Sequence, residues 1–124
     1  MLDPKFKGYS NFIFDLDGTF WTWDKLLPGA RATYRELIEQ GKSVYFVTNN
    51  CMLTRRGLAA KLRRFGIAAE EKHVINPTVN TAKLFRGKKV YAIAEGIRGE
   101  LGRQGAKLTD KADIVWISED RKFD

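Results

Sequence analysis

Short apolar runs alternate with amphipathic segments along this chain, and no other feature restricts its fold as strongly. The segments between the runs repeat apolar residues at helical spacing, as Tyr34, Leu37 and Ile38 do in the first of them. Strands separated by helices favour an α/β fold with a parallel sheet and right-handed crossovers. The predicted strands are residues 12–16, 43–47, 73–75, 89–94 and 114–117.

Cap and turn residues indicate where the predicted helices begin and end. Pro28 and Gly29 are predicted to open the first helix, because proline is favoured in a first turn, and Gly41 is predicted to end it. Thr54 and Asn76 are predicted to cap the next two helices. A fourth helix is predicted over residues 96–103. Residues 43–47 are apolar enough to predict a strand that is buried on both faces.

A carboxylate pair follows the first predicted strand, in the sequence Asp15-Leu16-Asp17-Gly18-Thr19. Residues two apart on a strand point to the same side, and Gly18 allows a sharp exit. Such a pair can provide one carboxylate as a nucleophile and one as a proton carrier. The alternatives are an ordinary turn or a calcium loop, but residues 20–23 continue with almost no oxygen ligands.

A second polar motif, Thr48-Asn49-Asn50, ends the second predicted strand. The carboxyl ends of strands are where open α/β sheets bind ligands, and free backbone amides there suit a phosphate. The alternative is a polar turn between a strand and a helix.

Together the two motifs resemble those of the haloacid dehalogenase superfamily of phosphatases. Further patterns are similar to the branch that carries a large α/β cap after the second motif, such as Pro28-Gly29-Ala30, Gly66-Ile67 and Thr81-Ala82. The resemblance implies a Rossmannoid parallel sheet. Residues 1–76 would be the N-terminal part of the core, and residues 77–124 the first, incomplete part of the cap.

The resemblance also implies a role for each motif residue. Asp15 would be the nucleophile, and Asp17 would protonate the leaving oxygen and then activate water. The Asp15 carboxylate and the Asp17 carbonyl would hold Mg²⁺. Thr48, Asn49 and Asn50, with Gly18 in the turn, would bind the phosphoryl group of a small phosphorylated metabolite. Trp21 and Trp23 would lie in a flap beside the site, or would serve in packing.

The family's third-motif lysine and fourth-motif acidic pair cannot be assigned by position in this sequence. Asp110 and Asp113 lie in another context, before a cap strand. The expectation is a truncated or split phosphatase, inactive alone or completed by self-association or a complementary chain. The alternative is a non-catalytic phosphate-binding module that acts through a partner. An uncovered edge of the first strand would favour such pairing.

The net charge of +7 has two interpretations: the basic residues lie on solvated helix faces, or they attract anionic substrates such as phosphate esters. Nucleic acid is not the expected partner, because no recognition motif accompanies the charge. Cys51 is the only cysteine, and neither a signal peptide nor a membrane span is predicted, so the expected location is the cytoplasm. The spacing of Gly96, Gly99 and Gly102 differs from that of a dinucleotide-binding loop, so a nicotinamide or flavin site is not expected.

Overall fold

The computed structural model describes residues 1–93 and 97–118. Parallel sheets and helices alternate, which confirms the predicted α/β class. Short 3-10 helices cover Pro4–Phe6 and Glu71–His73. The other elements, in chain order, are β1 (Asn11–Asp15), β2 (Trp21–Thr22), β3 (Lys25–Leu26), α1 (Ala30–Glu39), β4 (Ser43–Val47), α2 (Arg55–Arg64), β5 (Val74–Ile75), α3 (Pro77–Leu84), β6 (Lys89–Ile93), α4 (Arg98–Arg103), β7 (Lys107–Leu108) and β8 (Ile114–Ile117).

The chain divides into two compact units. The first comprises Met1–Thr48 and Leu58–Ile75, and the second Asn49–Gly57 and Asn76–Asp124. The division into residues 1–76 and 77–124, with a cap beginning at residue 77, stays a prediction. Ala94 and Gly96, which belonged to a predicted strand and a predicted helix, lie outside the described residues, as do residues 119–124.

The first unit contains a parallel sheet in the order β1-β4-β5. β1 and β4 are in register from Asn11 opposite Ser43 to Asp15 opposite Val47, so their carboxyl ends lie at one edge of the sheet. Within residues 1–93 and 97–118, β1 pairs along its length with β4 alone. The predicted uncovered edge of the first strand is therefore present in this part of the chain.

One face of this sheet is the hydrophobic core of the first unit. Val44, Phe46 and Val74 are buried there. Side chains of α1 and α2, including Leu37 and Leu62, pack in the same core. On the opposite face, exposed hydrophobic side chains are Ile13, Val47 and Ile75. The prediction that residues 43–47 are buried on both faces is therefore wrong, because α1 and α2 pack on the face of Val44 and Phe46, whereas Ser43 and Val47 are exposed.

A short antiparallel hairpin of β2 and β3 was not predicted. It has only two residues in each strand, too few for an alternating pattern to be recognisable. The first strand is also displaced by one residue from the prediction and ends at Asp15, so that Asp17 lies beyond it in a turn.

The second unit has a parallel sheet in the order β7-β6-β8, with α3 and α4 in the same unit. Its core includes Val90, Ile97 and Leu101, and the rings of Phe85 and Trp116 pack edge to face at 5.4 Å. β7 was not predicted. The predicted caps are confirmed: Thr54 Oγ1 accepts from Gly57 N–H at 3.1 Å, and Asn76 Oδ1 accepts from Val79 N–H at 3.4 Å.

No helix within the described ranges combines the length and the apolar character that crossing a membrane requires.

Candidate active site

The register of β1 and β4 determines where the candidate catalytic residues lie. Asp15, the last residue of β1, is opposite Val47, and Thr48 directly follows Val47. The Thr48 N–H donates to the carbonyl of Ile75 at 3.0 Å, which continues the parallel ladder beyond β4. Both motifs therefore reach the carboxyl edge of the same sheet, the edge at which α/β sheets bind ligands.

A tight turn after β1 positions Asp17. The carbonyl of buried Leu16 accepts from the backbone N–H groups of residues 19, 20 and 21, at 3.2, 2.8 and 3.1 Å. Gly18 adopts φ +84°, a left-handed conformation that costs other residues energy, and its N–H donates to the Trp21 carbonyl at 2.7 Å. The turn therefore places Asp17 by backbone hydrogen bonds rather than by strand geometry.

Two side chains hold the Asp17 carboxylate. The indole Nε1–H of Trp21 donates to Oδ1 at 3.0 Å, and the hydroxyl of Thr48 donates to Oδ2 at 3.3 Å. Trp21 is fully buried and Thr48 nearly so, at 0% and 3% exposure, whereas Asp17 itself is exposed. Among the described residues, each carboxylate oxygen thus has one donor and retains lone-pair capacity for another partner.

The Asp15 carboxylate is also exposed and has a different partner. The hydroxyl of Thr19 donates to its Oδ2 at 3.2 Å. Within the described ranges, neither Asp15 nor Asp17 is in an ion pair. Asp15 is therefore a solvent-facing carboxylate at the end of a strand, where an incoming electrophile can reach it.

The remaining predicted phosphate ligands, Asn49 and Asn50, are grouped with the second compact unit. Asn50 Oδ1 accepts from the backbone N–H groups of Met52 and Leu53 at 3.0 and 3.4 Å, which forms a local turn before α2. Asn49 is exposed. Their binding of a phosphoryl group stays a prediction.

The sequence predicts a flap or a packing role for Trp21 and does not predict its hydrogen bond to Asp17. The available signal was the spacing of four residues across a glycine turn, together with the donor-only chemistry of indole. Trp23, by contrast, is exposed and has φ +54°.

The donor chemistry of the site fits Mg²⁺. Asp15 and Asp17 offer oxygen ligands only, and Mg²⁺ is usually bound through one or two carboxylates, with water and substrate phosphate completing its shell. In the part of the chain that the structure describes, no group of three or more His, Cys, Asp or Glu side chains is placed to hold a metal ion. Binding of Mg²⁺ by Asp15 and Asp17 stays a prediction.

A family model of haloacid dehalogenase-like hydrolases matches residues 12–107. A 4-nitrophenylphosphatase from Schizosaccharomyces pombe is 35% identical over 102 residues, covering 76% of this chain and 34% of that protein. Phosphoglycolate phosphatase 2 from Arabidopsis thaliana is 34% identical over 104 residues, covering 77% and 35%.

A crystal structure of a 4-nitrophenylphosphatase from Thermotoga maritima superposes with a TM-score of 0.83 at 26% identity. The match covers 95% of this chain and 48% of that one. The chain thus spans about a third of the two curated relatives and about half of the solved structure.

Proposed function

Because this chain belongs to the haloacid dehalogenase-like hydrolase family, we propose that it carries the nucleophile and the general acid of a Mg²⁺-dependent phosphatase. The substrate class is a small phosphate monoester. The observation that carries the proposal is the exposed pair Asp15 and Asp17 at the carboxyl edge of a parallel sheet, with the Asp17 carboxylate held by Trp21 and Thr48. The phosphatases named among the relatives support it.

In the proposed reaction, an Asp15 oxygen attacks phosphorus and the bond to the leaving oxygen breaks, which gives an aspartyl-phosphate and an alcohol. Asp17 donates a proton to the departing oxygen and afterwards takes one from the attacking water. The water oxygen bonds to phosphorus as the bond to Asp15 breaks, so phosphate is released, Asp15 is again a carboxylate, and Asp17 again holds a proton. Asp15 and the Asp17 carbonyl would hold Mg²⁺. When bound, Mg²⁺ offsets the charge of the phosphoryl oxygens.

Phosphoryl binding is proposed for the amides and polar side chains after β4, namely Thr48, Asn49 and Asn50, and for the turn at Gly18. Thr48 would then have two roles, because its hydroxyl already donates to Asp17. Backbone amides at the carboxyl edge of a sheet suit an anionic ligand.

Hydrolysis of 4-nitrophenyl phosphate with and without Mg²⁺ tests the proposal, with Asp15→Asn as the nucleophile variant. Activity should require Mg²⁺ and be lost in Asp15→Asn. Asp17→Asn should slow an alkyl phosphate by roughly 10²–10⁴-fold, the usual contribution of a general acid. It should slow 4-nitrophenyl phosphate less, because nitrophenolate departs without a proton. Equal activity in wild type and Asp15→Asn would contradict the proposal.

A second candidate function is phosphate-ester binding without turnover, through a partner chain or self-association. It is favoured by the absence of a cationic partner for either aspartate among residues 1–93 and 97–118. Without such a cation, attack of a carboxylate on a dianionic phosphate meets strong repulsion. A thermal shift on adding a phosphate ester, with no product released, would distinguish this function from catalysis.

A further inference from the structure

The contacts of Trp21 suggest a role beyond packing. Its ring is fully buried, with the Phe65 ring at 5.9 Å, but its single polar atom is not directed into the core. The indole Nε1–H instead meets the Asp17 carboxylate at 3.0 Å. An N–H donor to a carboxylate forms a charge-assisted bond, which is stronger than a neutral one.

A cation lies over the face of the same ring. The ammonium nitrogen of Lys61, on α2, is 4.5 Å from the Trp21 ring centroid. Lys61 is only 13% exposed, and its Nζ also donates to the Trp23 carbonyl at 2.7 Å and pairs with Asp24 at 3.3 Å. Contacts with the hairpin segment therefore fix the ammonium group above the indole.

We propose that Trp21 is a positioning residue for Asp17 and that Lys61 strengthens its effect. A cation over the ring draws electron density from the indole and makes the N–H a better donor. The Trp21 bond to Oδ1 and the Thr48 bond to Oδ2 then fix the plane of the carboxylate. The catalytic meaning of this arrangement rests on the proposed function, but the arrangement itself does not.

The chemistry requires tryptophan rather than any aromatic residue. Phenylalanine at this position would fill much of the same space without a donor, and of the two side-chain bonds that the described residues make to Asp17, the Thr48 bond would remain. Because a small misplacement of a reacting group reduces the rate strongly, we expect Trp21→Phe to lower kcat by roughly ten- to a hundredfold. KM should change little, because Trp21 is fully buried and therefore out of reach of a substrate.

Indole ¹⁵N–¹H NMR tests the arrangement without any turnover. The chain has three tryptophans, so three indole signals are expected, and Trp21→Phe, Trp23→Phe and Trp116→Phe assign them. The Trp21 signal should lie downfield of the signal from exposed Trp23 and exchange slowly with solvent. Asp17→Asn, which weakens the acceptor, should move it upfield and speed its exchange.

Lys61→Met removes the cation but keeps an apolar side chain over the ring, and it should move the Trp21 signal in the same direction by less. The matched control is the signal of Trp116, in the other compact unit, which should not respond to either substitution. A Trp21 signal that is unchanged in Asp17→Asn would overturn the proposal, whatever the chain's activity. A wild type without activity would contradict only the proposed function. With an active wild type, Trp21→Phe at full kcat would overturn the positioning role.

Discussion

Alanine substitutions on opposite faces of the β1-β4-β5 sheet test which face is the core. Phe46 lies on the buried face of β4, at 0% exposure. Its ring centroid is 5.2 Å from that of Phe20, 6.3 Å from that of Tyr34 and 6.4 Å from that of Phe14. Phe46→Ala therefore leaves a cavity among three rings and should cost about 3–5 kcal/mol in the free energy of unfolding.

The control is Ile13→Ala on the open face of the neighbouring strand β1. Ile13 is 68% exposed, so only about a third of its surface is removed from water. Full burial of such a side chain contributes about 1.5–3 kcal/mol, so Ile13→Ala should cost about 0.5–1 kcal/mol. The two substitutions thus differ several-fold in expected cost while lying on adjacent strands of one sheet.

Urea unfolding followed by circular dichroism measures both. With a denaturant slope of about 1–3 kcal/mol per molar, Phe46→Ala should lower the midpoint by roughly 1 M or more, and Ile13→Ala by far less. Similar shifts for the two variants would refute the assignment of one open face. They would mean that the Ile13 face is covered in solution, and sedimentation at several concentrations would then reveal whether a second copy covers it.

Three further predictions concern the site and the contact between α1 and the N-terminal segment. Thr48→Val removes the hydroxyl that donates to Asp17 and should lower the free energy of unfolding in urea by about 1 kcal/mol. Thr48→Ser keeps a hydroxyl and should lower it much less. Gly18→Ala forces a side chain into φ +84° and should cost about 1–2 kcal/mol, measured in the same way. The backbone N–H of Leu2 donates to Glu36 and holds the pKa of this carboxyl below its usual range. The ionised group therefore stabilises the fold above the unfolded-state pKa, and this contribution is lost as the pH falls through the folded-state pKa. Glu36→Gln should accordingly lower the thermal midpoint at neutral pH and have little effect in strong acid, and an equal loss at both would contradict the assignment.

The predictions from sequence succeeded where a local pattern has one physical interpretation. Alternation of strands and helices predicts the α/β class. Thr54 and Asn76 cap their helices because their side-chain oxygens accept from backbone N–H groups of the first turn. Short elements such as β2, β3 and β7 were missed, because two residues carry no periodicity. The β4 prediction failed because apolar composition does not show whether a helix covers each face of a strand.

The sequence by itself determined the chemistry available to this protein: a carboxylate pair after a strand, a hydroxyl after the next strand, and the glycine that the turn between strand and hairpin requires. The tertiary structure alone decided how these groups meet. Parallel pairing of β1 with β4 brings Thr48 to Asp17 across 31 positions of chain, and packing of α2 brings Lys61 over Trp21. Such contacts depend on strand order and helix placement, which long-range burial selects, and no local pattern in the sequence encodes them.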